Sequence, residues 1–326
     1  MFSFSQRSSN LFAKSGVIRK FSQSACRRGY EDSIKNLLIN RDTKVICQGF
    51  TGKAGTFHAQ EALDYGTRMV GGVSPKKAGQ THLGLPVFGT VKEAVMETKP
   101  DASVIYVPPA IAADAILEAI ENEIGLIVCV AEGIPEADQI KVRSFMLSEA
   151  SQSPVSWAPI ALEIGIQPGH IHNPGNIGIV SRSGTLSYES AAQITGVGLG
   201  QSICIGIGGD PFPGTQHVEA VKVLLDDPNT EGIVFIGEIG GFMEEEAAEY
   251  IFQYNKTQVN PKPIVGFVAG RTAPSGRRAA SDKIAALSRA GVIIVDSPSK
   301  IGAEMLGAMQ ERAVNTSTSA SAWSGV

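Results

Sequence analysis

The stretch Thr43-Lys44-Val45-Ile46-Cys47-Gln48-Gly49-Phe50-Thr51-Gly52-Lys53-Ala54-Gly55-Thr56-Phe57-His58 decides how this chain folds. It reads as a short apolar strand, a glycine-punctuated turn, and a helix running from Thr56 to Tyr65. Gly49, Gly52 and Gly55 let the backbone pass close to a ligand and tolerate a positive φ. The N–H groups at the helix start point at whatever lies beyond the turn, and the helix dipole favours an anion there. The turn is therefore a site for a phosphate-bearing ligand.

Outward from this stretch the pattern repeats. Arg68–Val73, Ala102–Val107 and Gly125–Val130 read as further short buried strands. Ile111–Glu121 and Ala137–Ser148 read as helices between and after them. Strands alternating with helices imply a parallel, doubly wound sheet. Ligands of such sheets lie beyond the carboxyl ends of the strands, here 49–55, 72–77, 107–109 and 130–135. The second half repeats the scheme, with strands at Asn176–Val180, Ser202–Ile207, Gly232–Ile239 and Lys262–Gly270. Its helices fall at Val218–Leu225, Met243–Tyr254, Ser281–Ala290 and Ile301–Arg312, with another after Ser181-Arg182-Ser183-Gly184-Thr185-Leu186. The fold class is α/β, a Rossmann-like domain followed by a flavodoxin-like one. The expected divisions are 1–29, 30–152, 153–313 and a Ser/Thr/Ala-rich disordered tail over 314–326.

Composition narrows the function. The first thirty residues hold six basic side chains (Arg7, Lys14, Arg19, Lys20, Arg27 and Arg28), many serines and no acid before Glu31. That is the composition of a mitochondrial presequence, and it predicts a matrix address with cleavage near Arg28-Gly29-Tyr30. Taking those six from the 28 basic residues leaves 22 against 32 acidic ones. An acidic body argues against a nucleic-acid partner. No apolar run is long enough to span a bilayer, which argues against a membrane role. Cys47, Cys129 and Cys204 each sit in an apolar strand and read as small buried hydrophobes. Their spacing gives neither a metal site nor a disulfide framework.

The ligand class turns on the end of the second strand. A dinucleotide site of the NAD type carries an acid about 20 residues past the glycine turn. This chain has Gly71-Gly72-Val73-Ser74-Pro75-Lys76-Lys77 there. Two lysines suit a ribose phosphate, so coenzyme A fits better than NAD, and NADP fits the charge. Without the glycine turn, Lys76-Lys77 would read as a solvated loop.

Longer motifs resolve the choice. Lys44–Gly52, Gly79–Phe88 and Ala131-Glu132-Gly133-Ile134-Pro135 resemble the CoA-binding domain of succinate–CoA ligase α subunits. Gln167–His172, Ser181–Glu189, Gly206–Pro211 and Gly237–Gly241 resemble the ligase domain of the same family. The resemblance spans residues 31 to 312. It implies that Thr51, Gly52, Lys53, Ala54 and Lys77, with Val130, Ala131 and Glu132, contact CoA. It further implies that the Ser183-Gly184-Thr185 helix start holds a phosphate, Tyr188 lines the substrate site, and Glu238 orients a phosphohistidine. Read alone, Glu238 is an acid near a helix N-terminus, where acids are favoured.

In the family, a nucleotide phosphorylates one histidine, succinate takes the phosphate, and CoA displaces it. A β subunit supplies ATP or GTP and Mg²⁺. The histidine stands in a Gly-His-Ala-Gly loop. This chain has His58, His82, His170, His172 and His217, and none lies in such a loop. Thr272–Arg278 matches the approach to the loop, and Ala279-Ala280-Ser281 follows directly. The family's Gly-Pro-Asn-Cys-Pro-Gly turn is also missing, the gap falling within Ser153–Leu162. Two clean gaps beside intact flanks favour omitted coding sequence over a paralogue that drifted out of catalysis. The expectation is a mitochondrial ligase α subunit of the citric acid cycle that keeps CoA binding but lacks overall turnover. The alternatives are a non-catalytic CoA-binding or β-subunit-binding protein, and an NAD(P) oxidoreductase, which Lys76-Lys77 disfavours.

Overall fold

Val45–Gln48 forms β1, four residues buried on every side, as the centre of a sheet covered on both faces requires. A computed structural model describes residues 34–149, 156–157, 169–270 and 280–323. The expected presequence, the Arg278–Ala279 junction and most of Ser153–Leu162 lie outside the described residues.

The first sheet contains β1, β2 (Met69–Val73), β3 (Thr81–His82), β4 (Leu85–Phe88), β5 (Ala102–Ile105), β6 (Leu126–Cys129) and β7 (Ser156–Trp157). Their order is β3-β4-β2-β1-β5-β6-β7. All neighbours run parallel except the β3–β4 hairpin. With that added strand set aside, the order is the 3-2-1-4-5-6 of a Rossmann sheet. The strand order reverses between β1 and β5, beside the glycine turn. Helices Lys53–Tyr65, Val91–Thr98, Pro109–Glu121 and Glu136–Glu149 make the crossovers.

The second sheet contains β8 (Pro174–Ser181), β9 (Gln201–Gly206), β10 (Gly232–Glu238), β11 (Ile264–Ala269) and β12 (Ile293–Ile294). Its order, β12-β11-β10-β8-β9, is wholly parallel. Counted within the domain this is 2-1-3-4-5, the flavodoxin-like winding. Helices Gly184–Gly196, His217–Asp226, Met243–Tyr254, Ala280–Arg289 and Ile301–Trp323 complete it.

The two halves share apolar packing. One buried cluster includes Leu37, Val45 and Phe50 from the first half with Leu224, Phe235 and Ala247 from the second. The short 3-10 turn Ile34–Leu37 lies against helix His217–Asp226.

Two expectations need correction. The helix after the glycine turn starts at Lys53, not Thr56, because Gly52 takes the extended N-cap conformation and Gly55 is accepted within the first turn. The C-terminal segment expected to be disordered continues the last helix as far as Trp323. Buried Ile301, Met305 and Ala308 dock its first turns. Once a helix is nucleated, each further residue adds a bond at little cost.

Candidate functional site

The glycine turn is built by close backbone contact. Gly49 has φ +80°, and a Cβ there would lie 2.9 Å from the Tyr106 carbonyl oxygen. A Cβ on Gly55 would lie 2.2 Å from the Gly49 carbonyl oxygen. Only glycines let the first turn of helix Lys53–Tyr65 fold back onto the strand end. No side chain caps this helix at Gly52. Its opening N–H groups are thus suited to a phosphate oxygen.

Ser74 joins the ends of β1 and β2. Its Oγ accepts hydrogen bonds from the Thr51 N–H at 3.2 Å and the Thr51 Oγ1 at 3.0 Å. The 3-10 turn Pro75–Lys77 follows at once, so Lys76 and Lys77, both exposed, stand beside the glycine loop. This arrangement fits a ligand with several phosphates. Thr51, Gly52 and Lys53 line a shallow groove with Thr56, Phe57 and Gln60.

A second space lies between the halves. It has a volume of about 660 Å³. Val130, Ala131 and Glu132, at the end of β6, form one wall. Ser183, Gly184, Thr185 and Tyr188, at the start of helix Gly184–Gly196, form another. Glu238, at the end of β10, closes it. The structure thus brings together eight of the residues singled out in sequence, four contributed by one short helix start. Ser183 is the N-cap, its Oγ accepting from the Leu186 N–H at 3.3 Å. Thr51, Gly52, Lys53, Ala54 and Lys77 do not line this cavity.

The halves are tied beside it. Arg143 donates from Nη1 to the Pro213 carbonyl at 2.7 Å, and Gln139 accepts from the Phe212 N–H at 3.3 Å. Asp210 lines the cavity together with Glu132. Burial, then the Glu132 charge, raises the Asp210 pKa above its usual value, against a hydrogen bond from Gln139. The lining holds three carboxylates, Glu132, Asp210 and Glu238, and one guanidinium, Arg182.

Arg182 was not singled out in sequence. It is buried, and its Nη2 meets Glu238 Oε1 at 2.9 Å. Burial raises the Glu238 pKa above the usual carboxylate range, although Arg182 opposes it. Behind them Glu244 meets Arg182 Nη1 at 3.2 Å and Lys283 Nζ at 2.6 Å. These partners lie far apart in sequence, and Glu244 reads there as one of three acids in a helix's first turn. Among the described residues no histidine lines the cavity. His217 is wholly buried under the second sheet. It stacks on Phe235 with ring centroids 4.6 Å apart, and its Nε2 lies 3.1 Å from the Ile236 carbonyl oxygen. His58 stacks on Tyr106 beside the glycine loop, and its Nδ1 meets Glu61 at 3.1 Å.

Two family descriptions match the chain: a CoA-binding domain over residues 40–133 and a CoA-ligase domain over residues 180–304. Together they define a CoA-dependent ligase subunit. The α subunit of ADP-forming succinate–CoA ligase from Aquifex aeolicus (strain VF5) is 47% identical over 286 residues, covering 82% of this chain and 92% of that protein. The corresponding subunit of Staphylococcus epidermidis (strain ATCC 12228 / FDA PCI 1200) is 41% identical over 297 residues, covering 86% and 97%. The chain belongs to the succinate–CoA ligase α-subunit family. The fold recurs in the structure of ATP citrate lyase from Methanothrix soehngenii in complex with citrate and coenzyme A. There the TM-score is 0.76 at 20% identity, over 86% of this chain and 52% of that one. The chain thus spans about half the length of that structure.

Proposed function

We propose that this chain is a ligase α subunit that binds CoA and presents its thiol end to a phosphate site, but cannot carry the phosphoryl group itself. One observation carries the reading: the end of a CoA-domain strand and the start of a ligase-domain helix open into one cavity, with Glu238 beside them. Thr51, Gly52, Lys53, Ala54 and Lys77 hold the phosphates of CoA. Val130, Ala131 and Glu132 guide its distal arm. Ser183, Gly184 and Thr185 hold phosphate by their helix start, and Tyr188 borders the succinate.

Glu238 faces the place that a phosphohistidine takes in the family. A cavity with three carboxylates and one guanidinium suits a cationic imidazole entering from elsewhere, and this chain has no Gly-His-Ala-Gly loop to supply it. A β subunit provides the ATP or GTP site and Mg²⁺, and the basic, acid-poor residues 1–29 direct the chain to the mitochondrial matrix, where the citric acid cycle would use it. The chain is co-expressed with a β subunit and incubated with γ-labelled nucleotide. The expected result is no acid-labile label on this chain and no nucleotide-dependent succinyl thioester. Acid-labile labelling of this chain would overturn the reading.

A further inference from the structure

Glu238 and Arg182 are held by a second tier of charge. Glu244 is fully buried at the start of helix Met243–Tyr254. Its Oε1 accepts from the Glu238 backbone N–H at 3.1 Å and from Arg182 Nη1 at 3.2 Å. One oxygen thereby fixes both members of the pair at the cavity wall. Its other oxygen receives Lys283 Nζ at 2.6 Å. Lys283 is itself fully buried on helix Ala280–Arg289 and also donates to Glu245 at 2.8 Å and to the Gly241 carbonyl at 3.0 Å. Space for Glu244 exists because residue 237 is glycine: a Cβ there would lie 2.6 Å from Glu244 Cγ.

A lysine and a glutamate with no exposure are costly unless their geometry is good and their remaining bonds are made. Replacing such a pair by apolar side chains is often neutral or stabilising. Stability alone therefore gives little reason for charge at this place. The atoms bound by Glu244 Oε1 give a better one, since both belong to the cavity wall.

We propose that Glu244 and Lys283 are positioning residues: Lys283 fixes the Glu244 carboxylate, which holds the Arg182 guanidinium in place for the ligand anion and keeps Glu238 paired with it at the cavity wall. This rests on the anion-site reading above. The pair acts through Arg182 and Glu238 and does not itself line the cavity. Among the described residues, His217, Arg182, Glu238, Lys283 and Glu245 are the charged and titratable groups around Glu244. Burial alone would raise the Glu244 pKa, but His217, Lys283 and the Glu238 N–H outweigh it and hold the carboxyl below its usual range.

The test compares two double variants of the full chain, Glu244→Leu with Lys283→Met and Glu244→Gln with Lys283→Met. Both remove one negative and one positive charge, so their direct electrostatic effect on Glu238 is the same. Only the glutamine variant keeps an acceptor for Arg182 and the Glu238 N–H. Glu238 is titrated by carbon NMR of its carboxyl group, and inorganic phosphate binding is followed by phosphorus line broadening. In the leucine variant the Glu238 pKa is expected to rise by about one unit and phosphate to bind about tenfold more weakly, the scale of one lost charge-assisted hydrogen bond. The glutamine variant is expected to restore both. A leucine variant with altered melting but an unchanged Glu238 titration would overturn the proposal. If the unaltered chain binds no phosphate, the anion-site reading fails, while the Glu238 titration still decides whether Glu244 orients the pair.

Discussion

Single side chains set the chemistry at both sites. A methyl group at residue 55 would meet the Gly49 carbonyl at 2.2 Å, so Gly55→Ala pushes the helix start off the strand end. We expect CoA binding to weaken more than about tenfold with a smaller loss of melting temperature, because one ångström-scale displacement costs several charge-assisted bonds at once. Calorimetric titration with CoA checks it. His217 makes a different prediction. Burial lowers its pKa from 6.5 to about 4. The unfolded chain takes up a proton near pH 6.5 while the folded one refuses it until about pH 4. The contribution to stability is whole above pH 6.5 and is lost as pH falls through that window, amounting to about 3 kcal/mol at most. His217→Gln should flatten this part of the acid limb in urea unfolding from pH 7 to pH 4. An unchanged slope would place the acid sensitivity elsewhere. The glycines were legible from sequence, because turn chemistry is local, whereas Glu238 was singled out by the family resemblance. Arg182, Glu244 and Lys283 were not, since their meeting depends on where β8, β10 and the last crossover helices lie.

Among elements, the helix Gly184–Gly196 carries most of the second site. Ser183 caps it, and the Ser187 hydroxyl donates to the Ser183 carbonyl at 2.6 Å. Ser183→Ala should cost about 1 kcal/mol of stability, the usual worth of an N-cap, and should also weaken inorganic phosphate binding. Thr90 is a control for the phosphate site: its Oγ1 accepts from the Glu93 N–H at 3.2 Å, and it does not line the cavity. Thr90→Ala should bring a similar stability loss with phosphate binding intact. Urea unfolding and phosphorus NMR on the two variants separate cap from ligand effects. Most elements could be read from alternation and glycine punctuation, and Met243–Tyr254 agrees at both ends. The last helix could not, because serine and threonine in 316–319 signal a loop while the docking of Ile301 and Met305 is a tertiary fact.

Across the whole molecule, the doubly wound class followed from strand–helix alternation, but the shared core did not. Residues of both sheets enter one buried cluster, and Arg143 and Gln139 tie the loop after β9 to the first half. The chain should therefore unfold in a single calorimetric transition, and two resolved transitions would mean that the halves are independent. Their junction also brings the Val130–Glu132 strand end and the Ser183–Thr185 helix start into one cavity. The measurement that bears most directly on this is a calorimetric titration of the full chain with CoA, with NADP as competitor. The account predicts saturable binding of one CoA per chain that NADP does not displace and that Gly55→Ala weakens. Tight NADP binding with no CoA binding would contradict it.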